Sequence, residues 1–359
     1  MITFKIGIIG AGNIAHTVAD TITKLEGFDI AAVAARDLDR AKDFAAEFNI
    51  PTAYGSYDEL LHDDKVELVY ISTVNSTHFE LAKACIEAGK PCLVEKPFTC
   101  NFNTAKELID LSIEKKVFCG EAMWTSFTPM MMIAKDAIEK KVIGDVRMIT
   151  ANFGVDLKGV DRITNPELGG GVLLDLGIYP INAVFKLMGG IPLSLASSCV
   201  KVDTGVDIMD TVSMNYPNGR LATIMATGTY NSDNKCIIYG TLGRLEMDNV
   251  NNPQKIELYN NKNEVVQTIN VPDKQISGYE YEFIEARRAV ITGKLQCFQH
   301  TFDDILNFMA TADLLKVSWK ATLPLPGEAT EADIKERMEM QRRNFEAMQR
   351  KKAEEKNNQ

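Results

Sequence analysis

Histidine is scarce in this chain, and cysteine occurs in no metal-binding pattern. The 359 residues include four histidines and seven cysteines, and neither a C-x-x-C nor an H-E-x-x-H motif is present. Zinc sites and catalytic metal centres need such closely spaced ligands. An odd number of scattered cysteines also gives no disulfide framework. We therefore expect no bound metal, reduced thiols and a cytoplasmic location.

The chain also lacks an excess of positive charge and long apolar runs. Its formal net charge is −10 at pH 7, which disfavours nucleic acid or an anionic membrane as a partner. We see no apolar stretch long enough to cross a bilayer. The N-terminus enters a buried strand directly, without the pattern of a signal peptide. These absences favour a globular protein that binds a small molecule.

Strands and helices alternate from residue 1 to residue 123. Apolar runs bounded by turn residues predict strands at residues 5–9, 30–35, 68–72, 92–94 and 117–120. Helical patterns fill the segments between them. Such alternation is typical of an α/β domain with a doubly wound parallel sheet.

Residues 124–327 follow a different pattern. Consecutive strands are joined by tight turns such as Pro217-Asn218-Gly219, which indicates an open, mostly antiparallel sheet with helices on one face, an α+β domain. The other face would be an apolar liability if left uncovered. We expect a second copy of the chain to cover it in a homodimer. Residues 328–359 are predicted to form a charged helical tail.

A glycine-rich turn follows the first predicted strand. Its sequence, Gly10-Ala11-Gly12-Asn13-Ile14-Ala15, opens a predicted helix. Strand, G-x-G-x-x-A turn and helix together are typical of a dinucleotide-binding Rossmann domain. Gly10 permits the tight turn, Gly12 lets a pyrophosphate approach the backbone, and the helix N-terminus binds the phosphates. Gly10, Gly12, Asn13 and Ile14 are therefore candidate cofactor-binding residues.

The end of the second predicted strand carries the signal for the type of dinucleotide. NAD-preferring sites usually place a carboxylate there to bind the ribose 2′-hydroxyl, whereas an arginine accommodates a 2′-phosphate. Here Ala35 occupies that position and Arg36 follows. We predict a preference for NADP(H), because a guanidinium binds phosphate well. NAD(H) remains the alternative if Asp37 takes the ribose instead.

Glu95-Lys96-Pro97 lies at the end of the fourth predicted strand. Ligands of open α/β sheets bind at the carboxyl ends of the strands, so Lys96 is aimed at the cofactor crevice. Its ammonium could polarise a carbonyl or lower the pKa of a neighbouring hydroxyl. The alternative is a surface lysine paired with Glu95.

Three consecutive glycines, residues 169–171, precede a second candidate group. Asp175 and Tyr179 are four residues apart, so a helix would place both on one face. Tyr179 becomes a candidate proton donor and acceptor if a cation such as Lys96 lowers its pKa. In the alternative interpretation, Asp175 caps a helix and Tyr179 is an ordinary core residue.

Together, these motifs resemble the glucose–fructose oxidoreductase/inositol dehydrogenase/MocA family over nearly all of the chain except the tail. The resemblance is strongest to the dimeric dihydrodiol dehydrogenase and NADP-dependent D-xylose 1-dehydrogenase branch. Residues 34–38, 53–57, 121–125 and 171–179 match that branch. Much of the wider family has histidine where this chain has Tyr179.

The resemblance implies an NAD(P)-dependent dehydrogenase that transfers hydride at a hydroxyl-bearing ring carbon of a sugar or a trans-dihydrodiol. Lys96 and Tyr179 would carry the proton chemistry, and Asp175 would orient the substrate or Tyr179. It further implies cofactor contacts from Thr73, Asn75, His78 and Glu95, and a substrate pocket walled by Trp124 and Phe127. One departure is Ser126, where the branch usually has arginine.

Two other functions remain compatible with the sequence. One is a polyol or inositol dehydrogenase, or a sugar oxidoreductase that retains its cofactor. The other is a nucleotide-dependent sensor without catalysis, because a dinucleotide-binding fold does not prove turnover. The intact set of Lys96, Asp175 and Tyr179 favours an enzyme.

Overall fold

The computed structural model describes residues 3–320, together with residues 339 and 343. The predicted tail, residues 328–359, lies outside the described residues except at those two positions. The predicted division of the chain after residue 123 stays a prediction.

The first sheet is parallel throughout. Its strands lie in the order β3-β2-β1-β4-β5-β6, with β1 between β2 and β4. The order reverses at β1, so a crevice opens at the carboxyl ends of β1 and β4. The strands are β1 (Phe4–Ile9), β2 (Phe28–Ala34), β3 (Thr52–Tyr54), β4 (Leu68–Ile71), β5 (Cys92–Glu95) and β6 (Cys119–Ala122).

Five helices connect these strands and cover the sheet. They are α1 (Asn13–Thr23), α2 (Leu38–Phe48), α3 (Tyr57–Leu61), α4 (His78–Glu87) and α5 (Phe102–Lys115). The doubly wound α/β prediction is confirmed. The sequence pattern missed only β3, a three-residue edge strand whose side chains are half-buried and therefore lack a clear alternation.

The second sheet has eight strands in the order β14-β13-β12-β11-β7-β10-β9-β8. All pairs are antiparallel except β7 with β10, which confirms the mostly antiparallel prediction. The strands are β7 (Val146–Gly154), β8 (Ser194–Lys201), β9 (Asp207–Tyr216), β10 (Arg220–Thr227), β11 (Cys236–Gly240), β12 (Gly243–Met247), β13 (Lys255–Asn260) and β14 (Val265–Asn270).

One face of this sheet packs on helices and the other is open. Along β9, Val212 and Met214 point into the core while Thr211 and Ser213 are exposed, the alternation expected of a half-buried strand. The helices of this part of the chain are α6 (Pro129–Glu139), α7 (Asp161–Thr164), α8 (Ile178–Met188), α9 (Glu280–Ile291) and α10 (Phe302–Trp319).

Helix α9 returns to the first sheet. Phe283, Ala286 and Ala289 are buried in the same apolar core as Phe4 and Ile6 of β1. The backbone N–H of Cys119 also donates to the carbonyl of Leu295, 3.1 Å away. Because of this return, residues after the second sheet support the strands that carry the candidate site.

One helical stretch, Pro166–Met188, is long and apolar enough to span a bilayer, with a mean hydropathy of 1.4. This corrects the expectation that no stretch has that length. The stretch is 94% buried inside the protein, as a core helix is. It contains Leu173–Gly177, wound as a π-helix, immediately before α8.

Candidate active site

The glycine-rich turn has the geometry that a phosphate cradle requires. Gly10 has a φ of +106°, and a Cβ there would lie 2.9 Å from the carbonyl oxygen of Ser72. A Cβ at Gly12 would meet nothing within 4 Å, so the space over this residue is open. No side chain caps α1, which begins at Asn13. The N–H groups of Asn13 and Ile14 are therefore placed to receive an anion.

Two exposed arginines lie close to the end of β2, one shortly after it and one in the first turn of α2. Ala35 is buried, and the exposed Arg36 follows it. The carboxylate of Asp37 accepts hydrogen bonds from the backbone N–H groups of Asp39 and Arg40, 2.9 and 3.4 Å away, and so caps α2. Arg40 donates to the carbonyl of Ala11 in the glycine-rich turn at 3.2 Å. The Asp37 carboxylate is therefore occupied as a helix cap. We call the glycine-rich turn and the end of β2, with Arg36 and Arg40, the cofactor edge.

Lys96 and Asp175 form a buried ion pair. The Lys96 Nζ donates to Asp175 Oδ1 at 3.0 Å and to its backbone carbonyl at 2.8 Å. Arg162 Nη1 donates to the same Oδ1 at 2.7 Å. Burial alone would raise the pKa of Asp175, but the Lys96 and Arg162 charges hold it below its usual value. Asp175 is therefore ionised and fixes the Lys96 ammonium in place, and Lys96 is not paired with Glu95 through its side chain.

Tyr179 lies beside this ion pair. The Lys96 Nζ is 5.1 Å from the centroid of the Tyr179 ring, and the Trp124 indole donates to the Tyr179 hydroxyl at 3.3 Å. The Phe153 ring packs edge-on, 5.2 Å away. The structure therefore brings Lys96, Asp175 and Tyr179 together, as the sequence predicted.

The expected lowering of the Tyr179 pKa is wrong for the protein without ligands. Burial, followed by the nearby Glu95 carboxylate, raises this pKa well above its usual value. Tyr179 consequently carries its proton and is poised to donate it.

Glu95 points into the protein on the other side of Lys96. Its carboxylate accepts from the Tyr70 hydroxyl at 2.5 Å and from the Lys96 backbone N–H at 3.1 Å. Burial raises its pKa to about 7. Glu282 of α9 is fully buried nearby, and neither of its carboxylate oxygens has a hydrogen-bond partner among the described residues. Both oxygens of Glu95 are used within the protein, so its direct contact with a cofactor stays a prediction.

The segment after β4 borders the same crevice. Asn75 donates from its side-chain amide to the carbonyl of Gly169 at 3.0 Å. His78 is fully buried, and its ring nitrogens lie 2.8 Å from the carbonyl of Pro97 and 3.2 Å from that of Thr73. His78 thus holds the Lys96–Pro97 turn, whose peptide bond is cis, rather than facing the crevice.

The three glycines serve close packing. A Cβ at Gly169 would lie 2.8 Å from the Asn75 side chain, and one at Gly171, where φ is +115°, would lie 2.5 Å from Asp207 Oδ1. Asp207 in turn accepts from the backbone N–H of Leu173 at 2.5 Å. The glycines therefore let the segment before Asp175 lie directly on its neighbours.

The aromatic wall differs from the predicted one. Trp124 stacks on Tyr279 with ring centroids 4.2 Å apart, and Gly278 leaves room for the indole because a Cβ there would come within 2.8 Å of it. Phe127, predicted to line the pocket with Trp124, packs in the buried core of the first sheet, and its contact with a substrate stays a prediction.

Sequence reasoning missed several contributors. Arg40 could have been found from the sequence, because it lies in the first turn of α2, close to Arg36. Three other residues could not, because only the folded chain brings them to Asp175, Tyr179 and Trp124: Arg162, Phe153 and Tyr279.

Comparison with known proteins identifies the family of this chain. The model of the GFO/IDH/MocA oxidoreductase family, with an NAD-binding Rossmann fold, matches residues 4–122, and that of its C-terminal domain matches residues 131–246. Trans-1,2-dihydrobenzene-1,2-diol dehydrogenase of Danio rerio is 35% identical over 80% of this chain and 88% of its own length. The Mus musculus enzyme is 34% identical over 77% and 82%.

Solved structures share the fold. A 3-ketoreductase from Actinomadura kijaniata in complex with NADP and TDP-benzene has a TM-score of 0.78 at 24% identity, covering 88% of this chain and 97% of that one. A UDP-N-acetylglucosamine 3-dehydrogenase from Acidithiobacillus ferrooxidans has a TM-score of 0.75 at 22% identity, covering 89% and 99%.

The fold and site define a dinucleotide-binding oxidoreductase. This chain belongs to the GFO/IDH/MocA family, and the predicted class, an NAD(P)-dependent oxidoreductase, is confirmed.

Proposed function

We propose that this chain is an NADP(H)-dependent dehydrogenase that moves a hydride between nicotinamide and a hydroxyl-bearing ring carbon of a trans-dihydrodiol or a sugar. The observation that carries the proposal is the cluster of Lys96, Asp175 and Tyr179 next to the cofactor crevice. The trans-dihydrodiol dehydrogenases of Danio rerio and Mus musculus, similar over most of their length, support the substrate class.

The cofactor preference follows from the end of β2. Ala35 supplies no carboxylate, and that of Asp37 is occupied by the N–H groups of α2. Arg36 and Arg40 present two guanidinium groups, which bind phosphate through charge-assisted hydrogen bonds. The structural neighbour crystallised with NADP supports this preference, with NAD(H) as the less favoured cofactor.

The residues of the chain supply positioning and the proton. The bound dinucleotide would accept or deliver the hydride. Tyr179, which keeps its proton in the free protein, would donate it to the substrate oxygen during carbonyl reduction. Lys96 lies against the Tyr179 ring and would stabilise the phenolate that results, while Asp175 holds the ammonium in place. In the reverse direction, the Tyr179 phenolate, stabilised by Lys96, would take the proton of the substrate hydroxyl and become neutral.

The first experiment follows nicotinamide absorbance with NADP⁺ or NAD⁺ and a small panel of substrates. The panel contains D-xylose, D-glucose, myo-inositol and a trans-dihydrodiol. We expect NADP⁺ reduction with the dihydrodiol or xylose, and loss of turnover but not of NADPH binding in Lys96→Met. Tight NADPH binding without turnover on any member would contradict the proposed substrate class and favour a sensor.

We also propose that the chain is a homodimer through the open face of the second sheet. Leu221 of β10, Met148 of β7 and Tyr239 of β11 are consecutive neighbours across this face. Leu221 and Tyr239 are 45% and 38% exposed, so they form an apolar strip that a second copy would cover.

Sedimentation of Leu221→Lys/Tyr239→Lys tests the dimer. We expect the wild type to sediment as a dimer and this variant as a monomer, since two buried lysines facing their copies are repelled. Ile113→Lys, at an exposed apolar residue of α5, should remain dimeric. A wild type that sediments as a monomer would contradict the proposed homodimer.

The cytoplasmic location also stays a proposal. The seven cysteines are all free thiols, as expected in a reducing compartment. Cell fractionation followed by immunoblotting checks it, and recovery in an extracellular fraction would contradict it.

A further inference from the structure

A chain of buried polar side chains runs behind the candidate site. The Glu121 carboxylate accepts from the backbone N–H of Phe98 at 2.7 Å and contacts His300 Nε2 at 2.6 Å. His300 Nδ1 lies 3.3 Å from Ser126 Oγ, which accepts from the side-chain amide of Asn182 at 2.9 Å. We call Glu121, Ser126, Asn182 and His300 the polar chain.

The hydrogen bonds of the polar chain are mutually consistent when the His300 proton is on Nε2. Asn182 then donates to Ser126, the Ser126 hydroxyl to His300 Nδ1, and His300 Nε2 to Glu121. This assignment follows from the hydrogen-bond pattern, which fixes the tautomer. Because all bonds run toward one carboxylate, loss of any member leaves a buried group unsatisfied.

The polar chain does not catalyse a reaction of its own. Serine, histidine and glutamate are bonded in the order of a hydrolytic triad, but Ser126 is 1% exposed and its oxygen already accepts from Asn182. His300 is 3% and Glu121 2% exposed. No substrate reaches these atoms, so their role lies in what they hold.

Each end of the polar chain is close in sequence to a residue of the site. Phe98 follows Lys96 by two residues, and Asn182 follows Tyr179 by three on α8. Ser126 lies between, in the same 3-10 turn as Trp124, which donates to the Tyr179 hydroxyl. The polar chain thus links the three segments that carry Lys96, Trp124 and Tyr179.

We propose that the polar chain sets the position of Lys96 relative to Tyr179, so that Glu121, Ser126, Asn182 and His300 are positioning residues for hydride transfer. This inference rests on the proposed function for its kinetic consequence only. Misplacement of a reacting group by about 1 Å can cost roughly 10²-fold in rate. The polar chain should therefore affect kcat more than the binding of cofactor or substrate.

The test uses Ser126→Ala, Glu121→Gln and the double variant. Ser112→Ala is the matched control, because Ser112 is also a buried, hydrogen-bonded serine. Its hydroxyl donates to the carbonyl of Val117 just after α5 and contacts no member of the polar chain. The readouts are kcat, KM, the Kd for NADPH and the melting temperature. A fourth readout is Trp124 fluorescence in a Trp319→Phe background, which leaves Trp124 as the sole tryptophan.

We expect each single variant to lower kcat by roughly 10- to 100-fold while KM and the NADPH Kd change by less than about threefold. The double variant should lose little more than the worse single variant, since residues that act as a unit are not additive. Ser126→Ala should also change Trp124 emission or its quenching by acrylamide.

Unchanged kcat in folded single variants, multiplicative losses in the double variant, or an equal loss in Ser112→Ala would overturn the proposal. If Glu121→Gln fails to fold, Ser126→Ala decides on kcat alone. If the wild type turns over no substrate, the proposed function fails, and Trp124 fluorescence then decides: an unchanged signal in Ser126→Ala overturns the role of the polar chain.

Discussion

The candidate site has two parts that are built in different ways: the cofactor edge, and the cleft that holds Lys96, Asp175 and Tyr179. At the cofactor edge, the glycine-rich turn and the end of β2 lie within one βαβ unit, and the long contact there joins Arg40 to Ala11 across 29 residues. In the cleft, Lys96 meets Asp175 across 79 residues, and behind the cleft His300 meets Glu121 across 179. Local sequence therefore determines the first region, and the packing of the whole chain determines the second.

The electrostatics of the two regions differ as well. Arg36 and Arg40 are exposed, so water and salt screen their charges until a ligand covers them. Lys96, Asp175 and Glu95 are largely buried, where charges act strongly on one another. Changes in the cleft should consequently alter catalysis and proton binding, whereas changes at the edge should alter cofactor affinity alone.

The largest effect is expected from Tyr179→Phe. Removal of the hydroxyl takes away the proton donor, so kcat should fall by roughly 10²–10⁴-fold, while the Kd for NADPH stays within about threefold of the wild type. Steady-state kinetics and fluorescence titration measure both. Tyr216→Phe is the control, because Tyr216 is another buried phenol, placed in β9, where its hydroxyl donates to the Met214 sulfur.

An equal loss in Tyr216→Phe, or a normal kcat in Tyr179→Phe, would remove Tyr179 from the proton chemistry. Loss of NADPH binding in Tyr179→Phe would instead show that Tyr179 binds the cofactor, as residues of the cofactor edge are expected to do. The contrast between the two regions would then weaken.

The same contrast explains how much of the molecule could be predicted from its sequence. The conformation of the Gly10–Gly12 turn could be predicted because a short segment fixes its geometry. The proximity of Lys96 to Asp175 and Tyr179 could be predicted from motifs, but the raised pKa of Tyr179 could not, since it depends on burial and on Glu95. The packing of Phe127 could not be predicted either, because an aromatic residue close to Trp124 in sequence can face either the cleft or the core behind it.

The second prediction concerns the cofactor edge. Arg36→Ser/Arg40→Ser should raise the Kd for NADP⁺ by about 10²-fold, because a hydrogen bond to a charged group contributes roughly 1.5–3 kcal/mol net, and salt screens these exposed charges. The Kd for NAD⁺ should change by less than about threefold, as NAD⁺ has no 2′-phosphate. Titration of both cofactors measures the ratio.

The control is Lys24→Ser/Lys106→Ser, which removes the same net charge from exposed positions on the helices that flank the first sheet. It tests whether a general loss of positive charge is enough to weaken cofactor binding. Equal weakening of NADP⁺ and NAD⁺ in the arginine variant would place the 2′-phosphate elsewhere.

The smallest effect is expected from Glu95→Gln, a variant that tests the buried charge of the cleft directly. Burial raises the pKa of Glu95 to about 7 in the folded protein, from an ordinary value of 4.5. Between these two values the folded state holds a proton that the unfolded state has lost, so the free energy of unfolding falls as pH rises. From about pH 5.5 to about pH 8 this group should account for a loss of about 2 kcal/mol.

Glu95→Gln should abolish that part of the pH dependence, as measured by urea unfolding at both pH values. Glu285→Gln is the matched control: burial favours the neutral acid, but Arg288 holds the pKa of Glu285 below its ordinary value. Its loss should therefore lower stability equally at both pH values.

Persistence of the wild-type slope of stability against pH in Glu95→Gln would instead show that another group in the cluster holds the proton. That group would be Glu282, because burial and Glu95 also raise its pKa. Either result locates the buried charge that separates the cleft from the solvent-screened cofactor edge.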